Sequence, residues 1–198
     1  MTKKINTKHL EALKKYLSTF IDIPFQEWAF FTSVLNVRKF EKNEFYFRLG
    51  DAVDEVGFVV EGLFYNFYSN KKGESSVKYF VAEGSSIACL SSLILNIPAS
   101  FSGQALEDSI LLTIKYRDLQ KVFLRHSCWE RMGRLSAEKL YIEKEVREER
   151  FLRADAREKY EYFVNEHPNL VNRLPQYLIA SYLGITPVTL SRVRKKRT

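Results

Sequence analysis

The sequence predicts an α+β protein with two short N-terminal helices, a small antiparallel β-roll (jelly roll, or double-stranded β-helix), a long helix and a C-terminal helix-turn-helix. Three observations support this fold class. The hydrophobic period is strand-like from about residue 40 to residue 116 and helical on both sides of that part. Within it, glycines suited to turns recur every 11 or 12 residues, at Gly50, Gly62, Gly73 and Gly84. After the long helix, a glycine turn precedes a short basic helix at the end of the sequence.

The composition is that of an ordinary globular protein, with 45% hydrophobic and 28% charged residues in a chain of 198. No run of about 18 apolar residues occurs, so neither a transmembrane helix nor a membrane partner is expected. The first residues, MTKKINTKHLEALKK, lack the apolar core of a signal peptide. The two cysteines, Cys89 and Cys128, form no CxxC pair. We therefore expect a cytoplasmic protein without a disulfide framework.

Residues 1–117 are predicted to form the N-terminal helices and the β-roll. Leucines spaced three and four apart predict a helix over residues 8–18, and a second helix begins at Pro24, a residue suited to a first turn. The strands follow as runs such as EVGFVVEGLFYNFYS and DSILLTIKY, with SNKKGE as a hairpin turn. Eight aromatic residues of these strands could line a pocket, although alternating aromatic residues more often form a core: Tyr46, Phe47, Phe64, Tyr65, Phe67, Tyr68, Tyr79 and Phe80.

Residues 118–152 are predicted to form one long helix with a break near Ser127. Its apolar residues lie at near-heptad spacing, interrupted by Lys139, and the rest of the segment is strongly charged. A narrow apolar strip on a charged helix is typical of a helix that pairs with its own copy, so we predict a homodimer. Packing of this helix on its own roll is the alternative. The candidate dimer residues are Met132, Leu135, Ile142 and Val146.

Residues 153–198 are predicted to form a DNA-binding domain. Asp155 and Glu158 have the spacing of a capping box, which begins a helix that ends before Pro168. A window of twenty residues from Gln176 then has the spacing of a helix-turn-helix, with Gly184 at the turn. Its small and apolar positions are Ile179, Ala180, Leu183, Ile185, Leu190 and Val193, and Thr186 and Pro187 start the second helix as N-cap and first helical residue.

The second helix of this motif has a polar and basic face. At 100° per residue, that face is opposite Leu190 and Val193, and it combines arginine and hydroxyl groups with one apolar side chain. Arginine can bond a guanine edge in the major groove, whereas lysines and threonines suit phosphates. Beyond Glu166 the sequence has six basic residues and no acidic one, within a net charge of +7. The predicted DNA-binding residues are Gln176, Thr186, Pro187, Val188, Thr189, Ser191, Arg192, Lys195 and Lys196.

On these motifs the sequence resembles the cyclic AMP receptor protein and fumarate-nitrate regulator (Crp/Fnr) family of bacterial transcription factors. The segment LPQYLIASYLGITPVTLSRVRKK is similar to the branch found in Bacteroidetes, and GDAVDEVGFVVEGLFYNFY and GQALEDSILLTI resemble recurring motifs of the family's cyclic-nucleotide-binding-like roll. The resemblance implies a winged helix-turn-helix, a homodimer on inverted-repeat double-stranded DNA, and an effector in the roll that re-aims the recognition helices. If the protein is an activator, the resemblance also implies RNA polymerase as a partner.

The roll departs from the family at the nucleotide cassette. The resemblance places a ribose-binding glutamate near Cys89 and a phosphate-binding Arg-Ser pair near Ala99 and Ser100, yet no charged residue occurs there. A buried cyclic phosphate would lack its countercharge, so cyclic AMP is not expected to bind in the family's way. A small-molecule effector of unknown identity in the roll is the alternative, and the sequence identifies no other cofactor. The candidate effector pocket consists of Gly84, Ile87, Ala88, Cys89, Leu90, Ser91, Ala99 and Ser100.

Two other classes of function fit the sequence less well. An enzyme on a jelly roll would need clustered histidine and carboxylate ligands, but the three histidines of the chain lie outside residues 40–116, and no catalytic residues are predicted. His126 and Cys128 are two apart on a predicted helix, which does not favour a metal site. An effector-binding sensor or scaffold, whose helix-turn-helix contacts protein instead of DNA, is the alternative to a DNA-binding regulator.

Overall fold

The computed structural model describes residues 5–70 and 73–195, which form eight helices and eight strands. The helices are α1 (Thr7–Leu17), α2 (Phe25–Ser33), α3 (Leu90–Leu95), α4 (Tyr116–Phe123), α5 (Ser127–Arg153), α6 (Ala156–Glu166), α7 (Gln176–Leu183) and α8 (Pro187–Lys195). The strands are β1 (Asn36–Phe40), β2 (Phe45–Phe47), β3 (Glu55–Glu61), β4 (Leu63–Ser69), β5 (Ser75–Ala82), β6 (Ser85–Ile87), β7 (Ser102–Ala105) and β8 (Ser109–Lys115).

The chain divides into two compact units. The first contains the residues up to Glu74 together with Lys78–Ala137, and the second contains Ser75–Val77 and the residues from Glu138 onward. Helix α5 begins in the first unit and ends in the second. Among the described residues, no helix is both long and apolar enough to cross a membrane.

The β-roll of the first unit consists of two four-stranded sheets. Their strand orders are β1-β8-β3-β6 and β2-β7-β4-β5. The pairings β1–β8, β8–β3, β3–β6, β2–β7 and β7–β4 are antiparallel, as the glycine spacing predicts. The roll core joins residues of both sheets, including Phe40, Phe47, Phe64 and Leu111. Helix α3 lies inside the part of the sequence that we interpret as strands, and it is not predicted because its six-residue run LSSLIL is too short to show a repeated helical period.

Helices α1, α2, α4 and the start of α5 share a second core with the outer face of the roll. Trp129 is fully buried there, and its ring centroid lies 4.7 Å from that of Phe31. Pro24 is the residue before α2, in extended backbone, and not its first helical residue as predicted. The predicted break near Ser127 is confirmed, since α4 ends at Phe123 and α5 begins at Ser127.

A hydrogen-bonded group connects α2 with the beginning of α5. The buried carboxylate of Glu27 accepts from Trp129 Nε1 at 3.0 Å and from Arg125 Nε and Nη2 at 3.3 Å each. The Arg125 guanidinium also lies 3.8 Å from the ring centroid of Phe30. Because each partner comes from a distant part of the sequence, no local pattern predicts this group.

Acid is expected to weaken the first unit through Glu27. The hydrogen bonds from Arg125 and Trp129 hold the pKa of this carboxyl below its ordinary value of 4.5. A carboxyl whose pKa is lower in the folded state stabilises the fold above its unfolded pKa, and the contribution is lost as the pH falls through the folded pKa. The melting temperature should therefore fall below about pH 4.5, and Glu27→Gln should lower it at neutral pH but flatten its fall in acid.

Melting curves from neutral pH to about pH 3 test this expectation. Glu11→Gln, on the exposed surface of α1, is the matched control and should keep the full decrease in acid. Equal decreases for the wild type and Glu27→Gln would contradict a role for this carboxylate.

The four candidate dimer residues lie in different surroundings. Met132 is buried in the chain's own core, and Leu135 packs against the same core, which is the alternative considered for this helix. Ile142 is 57% exposed, and Val146 is half-buried. The apolar strip of α5 therefore contributes to the first unit at its beginning and is open to solvent farther along the helix.

The second unit contains α6, α7 and α8 after the end of α5. The predicted capping box is confirmed: Asp155 Oδ1 accepts from the N–H groups of Arg157 and Glu158, and Glu158 Oε2 accepts from the N–H of Asp155. Between residues 154 and 195, which are all described, no strand is formed, so the wing implied by the resemblance has no counterpart there.

Candidate nucleic-acid interface

Helices α7 and α8 pack on each other through the small and apolar positions of the window. Ile179, Ala180 and Leu190 are fully buried, and Leu183 is nearly so. The N–H of Ile185 donates to the carbonyl of Ala180 at 3.0 Å, which closes the turn between the helices. The spacing of these residues in the sequence therefore matches their packing in the structure.

Gly184 ends α7 in the left-handed region, with φ +67° and ψ 33°. A β-carbon at this position would lie 2.4 Å from Cε2 of Phe151, on the last turns of α5. Both the backbone angle and the close approach favour glycine at this turn.

Thr186 caps the beginning of α8, as predicted. Its Oγ1 accepts from the N–H of Thr189 at 3.1 Å and lies 2.9 Å from the Thr189 hydroxyl. The Thr189 hydroxyl, which we predicted to contact phosphate, therefore also takes part in the cap. Pro187 is the first helical residue, where its missing N–H has no helical acceptor to lose.

The predicted polar face of α8 is open to solvent. Val188 is 60% exposed, and Ser191, Arg192 and Lys195 are exposed as well, whereas Leu190 and half-buried Val193 face inward. The other predicted contact residues Gln176, Thr186 and Pro187 are exposed, Thr189 is half-buried, and Lys196 lies outside the described residues. One face of α8 thus presents an apolar, a hydroxyl and two basic side chains together.

The positive charge of this face is not neutralised within the unit. Neither Arg192 nor Lys195 forms an ion pair in the described part of the chain, and no acidic residue follows Glu166 in the sequence. An exposed, unpaired pair of cations on a short helix is the arrangement that attracts a polyanion.

Side chains of α5 and α6 pack against Tyr182 on α7. The ring centroid of Tyr182 lies 5.6 Å from that of Phe163 on α6, and Phe163 lies 5.3 Å from His167. Arg147 of α5 lies 4.5 Å from the Tyr182 ring centroid and donates to the Tyr182 carbonyl at 3.2 Å. Burial raises the pKa of Tyr182 and lowers that of His167. Sequence reasoning did not identify this support, because Arg147 is one of many charged residues on α5.

The candidate effector residues divide between the roll core and its surface. Ile87, Cys89 and Ala99 are buried in the roll core, so Cys89 is a small core residue. The remaining five do not join them: Ala88 is half-buried, and Gly84, Leu90, Ser91 and Ser100 are exposed. The structure therefore brings together three of the eight residues.

The His126 and Cys128 pair borders a cleft of about 610 Å³ near the start of α5. His126 Nδ1 accepts from the N–H of Cys128 at 3.1 Å, so the imidazole caps this helix. Burial raises the pKa of the Cys128 thiol. Among the described residues, no group of three or more His, Cys, Asp or Glu side chains is placed to hold a metal ion.

Comparisons with known proteins identify the roll. Residues 37–126 match the family model of the cyclic nucleotide-binding domain. No curated protein sequence matches the chain.

Solved structures share the fold over most of the chain. FixK2 from Bradyrhizobium japonicum is 19% identical, with a TM-score of 0.71 over 82% of this chain and 84% of that one. The c-di-GMP responsive global regulator CLP of Xanthomonas campestris is 15% identical, with a TM-score of 0.70 over 88% and 91%. The Thermus thermophilus catabolite activator protein is 20% identical, with a TM-score of 0.56 over 91% and 85%.

At these identities the structural likeness establishes the fold alone. It confirms the predicted α+β class, with a β-roll followed by helices. Residues 37–126 thus match the cyclic nucleotide-binding domain, within a chain whose fold is shared by FixK2, CLP and the catabolite activator protein.

Proposed function

We propose that this protein is a cytoplasmic, sequence-specific DNA-binding transcription regulator of the Crp/Fnr type, which acts as a homodimer on inverted-repeat sites. The observation that carries the proposal is the exposed face of α8, where Val188, Ser191 and Arg192 lie side by side above a buried Leu190. In this proposal, α7 and α8 are a helix-turn-helix. Arg192 bonds a base edge in the major groove, Val188 contacts a thymine methyl group, and Lys195 contacts phosphate. No catalytic role is proposed.

The dimer is proposed to form along the second half of α5. Leu140, Tyr141 and Ile142 are 37%, 69% and 57% exposed, and they are surrounded by charged residues. Apolar side chains on an otherwise charged helix are stabilised when a second copy covers them. A dimer also presents two copies of α8, which is what an inverted repeat requires.

Arg192→Ala is expected to weaken binding to the selected site by about tenfold to a hundredfold, because a bidentate contact to guanine discriminates by about 1–3 kcal/mol. The measurement is selection from random duplex DNA at near-physiological salt, followed by titration of the recovered sequence. Arg157→Ala is the matched control, since it removes an exposed arginine of α6 that pairs with Glu161. If the wild type and Arg192→Ala bind the selected inverted repeat with equal affinity, the proposed contact of α8 with DNA is wrong.

The second candidate is a sensor or scaffold whose helix-turn-helix contacts protein. It is favoured by the exposed apolar side chains of Val188 and Tyr177, which are 60% and 61% exposed. Salt dependence separates the two functions, because DNA binding loses about one power of ten in affinity per tenfold rise in salt for each phosphate contact. An affinity that does not change with salt concentration, and that is unaffected by an excess of unrelated DNA, would favour the protein partner.

The roll is proposed to sense an effector other than cyclic AMP. The stretch from Gly84 to Gly103 contains no charged residue, so a cyclic phosphate placed there would be buried without a countercharge. Calorimetry should show no binding of cyclic AMP at micromolar concentrations, and binding in that range would refute this part of the proposal. If the protein activates transcription, RNA polymerase is a further proposed partner.

A further inference from the structure

The connection between α5 and α6 is short. Helix α5 ends at Arg153 and α6 begins at Ala156, so only Ala154 and Asp155 lie between them. Asp155 caps α6, and the N–H of Ala154 donates to the carbonyl of Arg150 at 3.0 Å. Each residue of a connection has two backbone bonds that rotate easily, so a link of this kind fixes where α6 begins and leaves its direction to other contacts.

The last turns of α5 supply such contacts from one face, all within the second unit. Arg147, Arg150 and Phe151 are spaced three and four residues apart in sequence, so they lie on the same side of the helix. Arg150 forms an ion pair with Glu166 of α6, and its guanidinium lies 4.4 Å from the ring centroid of Tyr162, also on α6. These contacts hold α6 against the end of α5.

Phe151 lies against the turn between α7 and α8. A β-carbon on Gly184 would lie 2.4 Å from Phe151 Cε2 and 3.0 Å from its Cζ, so the ring is in direct contact with the backbone of this turn. The Nζ of Lys159, on α6, lies 4.7 Å from the ring centroid of Phe151. Because Phe151 is 51% exposed, its replacement would not open a cavity in a closed core.

Arg147 contacts the end of α7. Its Nη2 donates to the carbonyl of Tyr182 at 3.2 Å and to that of Val77 at 3.4 Å, and its guanidinium lies 4.5 Å from the ring centroid of Tyr182. Val77 belongs to the same unit, and its N–H donates to Ser181 Oγ on α7 at 3.0 Å. Arg147 therefore connects α5 with α7 both directly and through Val77.

The direction of α8 follows from these contacts, although they are made to α7 and to the turn. The buried side chains of Ile179 and Leu190 pack α7 and α8 on each other, and the hydrogen bond from Ile185 to Ala180 closes the turn, so a displacement of α7 displaces α8 as well. In the proposed dimer the second half of α5 lies beside its own copy. The angle between α5 and α8 then sets the distance and the angle between the two copies of α8.

We propose that Arg147 and Phe151 are positioning residues that determine which spacing between the two half-sites the protein recognises. The exposed face of α8 reads each half-site, and these two residues hold α8 at the angle that suits one spacing. One base pair more or less rotates the second half-site by about a tenth of a turn. A wrong spacing therefore requires either deformation of the DNA or loss of the contacts, so the strength of the contacts limits the discrimination. This inference rests on the proposed function.

Titration of the full chain with a series of inverted repeats tests the proposal. The half-site recovered from random duplex DNA is placed in repeats whose spacer varies in steps of one base pair over one helical turn, about ten base pairs. The wild type should prefer one spacer. Arg147→Met keeps an apolar stem but removes both hydrogen bonds, so its preference for that spacer over the neighbouring ones should be about tenfold weaker. The half-site sequence that it selects should be unchanged, because α8 is intact.

Two further variants complete the comparison. Phe151→Leu removes the ring from the turn at Gly184, so it should also accept neighbouring spacers, and it provides the test if Arg147→Met does not fold. Arg153→Ala is the matched control, because it removes an exposed arginine of α5 that pairs with Glu149 of the same helix. It should keep the spacer preference of the wild type.

The spacer preference separates positioning from a merely structural role. If Arg147→Met and Phe151→Leu bind every repeat more weakly by the same factor and keep the preferred spacer, the two residues only stabilise the unit and the proposal is overturned. A wild type that binds all spacers alike would overturn it as well. Failure to recover any inverted repeat would refute the proposed function together with this inference, whereas a recovered repeat whose spacer preference the variants retain would refute only the inference.

Discussion

Gly62→Ala is expected to destabilise the first unit by about 2–5 kcal/mol. Gly62 joins β3 to β4 with φ +97°, a backbone conformation that costs a residue with a β-carbon about 1–2 kcal/mol. A β-carbon there would lie 2.7 Å from Cα of Ser109, a backbone atom that a side-chain rotation cannot move. Overpacking of this kind costs about 1–3 kcal/mol more.

Gly84→Ala is the matched control for this turn. Gly84 also has a positive φ, of +72°, but no atom lies within 4 Å of the position of its β-carbon. Gly84→Ala should therefore reduce the free energy of unfolding only by the cost of the positive φ, about 1–2 kcal/mol. Urea unfolding followed by tryptophan fluorescence measures both variants, because the two tryptophans of the chain, Trp28 and Trp129, belong to the first unit. Equal losses would show that the contact with Ser109 relaxes at no cost.

Trp129→Ala is expected to reduce the stability of the same unit by about 3–5 kcal/mol. The indole is fully buried, packs on Phe31 and donates to the Glu27 carboxylate. The substitution leaves a cavity in the core and removes one of the donors to a buried carboxylate, and both effects act in the same direction.

Trp28→Ala is the comparison for Trp129. Trp28 is only partly buried beside the same core, so its loss should be clearly smaller. In each variant the remaining tryptophan reports unfolding. Similar losses of unfolding free energy for the two variants would show that the full burial of Trp129 contributes no more to stability than the partial burial of Trp28.

If the start of α5 depends on Trp129, the same residue matters for the proposed dimer. The buried indole and the Glu27 group fix the first turns of α5 on α2, and the exposed apolar side chains lie farther along the same helix. A variant that loosens these turns should therefore dimerise less well, although it removes no residue of the proposed interface.

The exposed basic face of α8 could be predicted from the sequence because its signals are local. Gly184 has the left-handed angle that a turn needs, Thr186 caps the next helix, and Leu190 falls on the inner face at 3.6 residues per turn. Each property depends on a few neighbouring residues, so spacing alone was sufficient.

The surroundings of the buried residues in the roll could not be predicted in the same way. The expected pocket was placed by resemblance at the segment around Cys89 and Ala99, and the structure buries both of those residues in an apolar core. Asn66 of β4 is buried, and its side-chain amide has no hydrogen-bond partner. Its only signal in the sequence is that it is the one amide in the aromatic run LFYNFYS. That its amide has no partner depends on which strands surround it, and the sequence does not contain that information in local form.

Apart from helix α3, the sequence by itself determined the order of helices and strands, the turns with positive φ and the basic face of the last helix, because period, glycine and charge act over a few residues. Only the tertiary structure decided that Met132 belongs to the chain's own core, that Glu27 joins Arg125 and Trp129, and that Asn66 is buried unpaired. Those facts depend on contacts between residues that are far apart in the sequence. The free energy of such contacts depends on burial and geometry that residues far apart in the sequence create together.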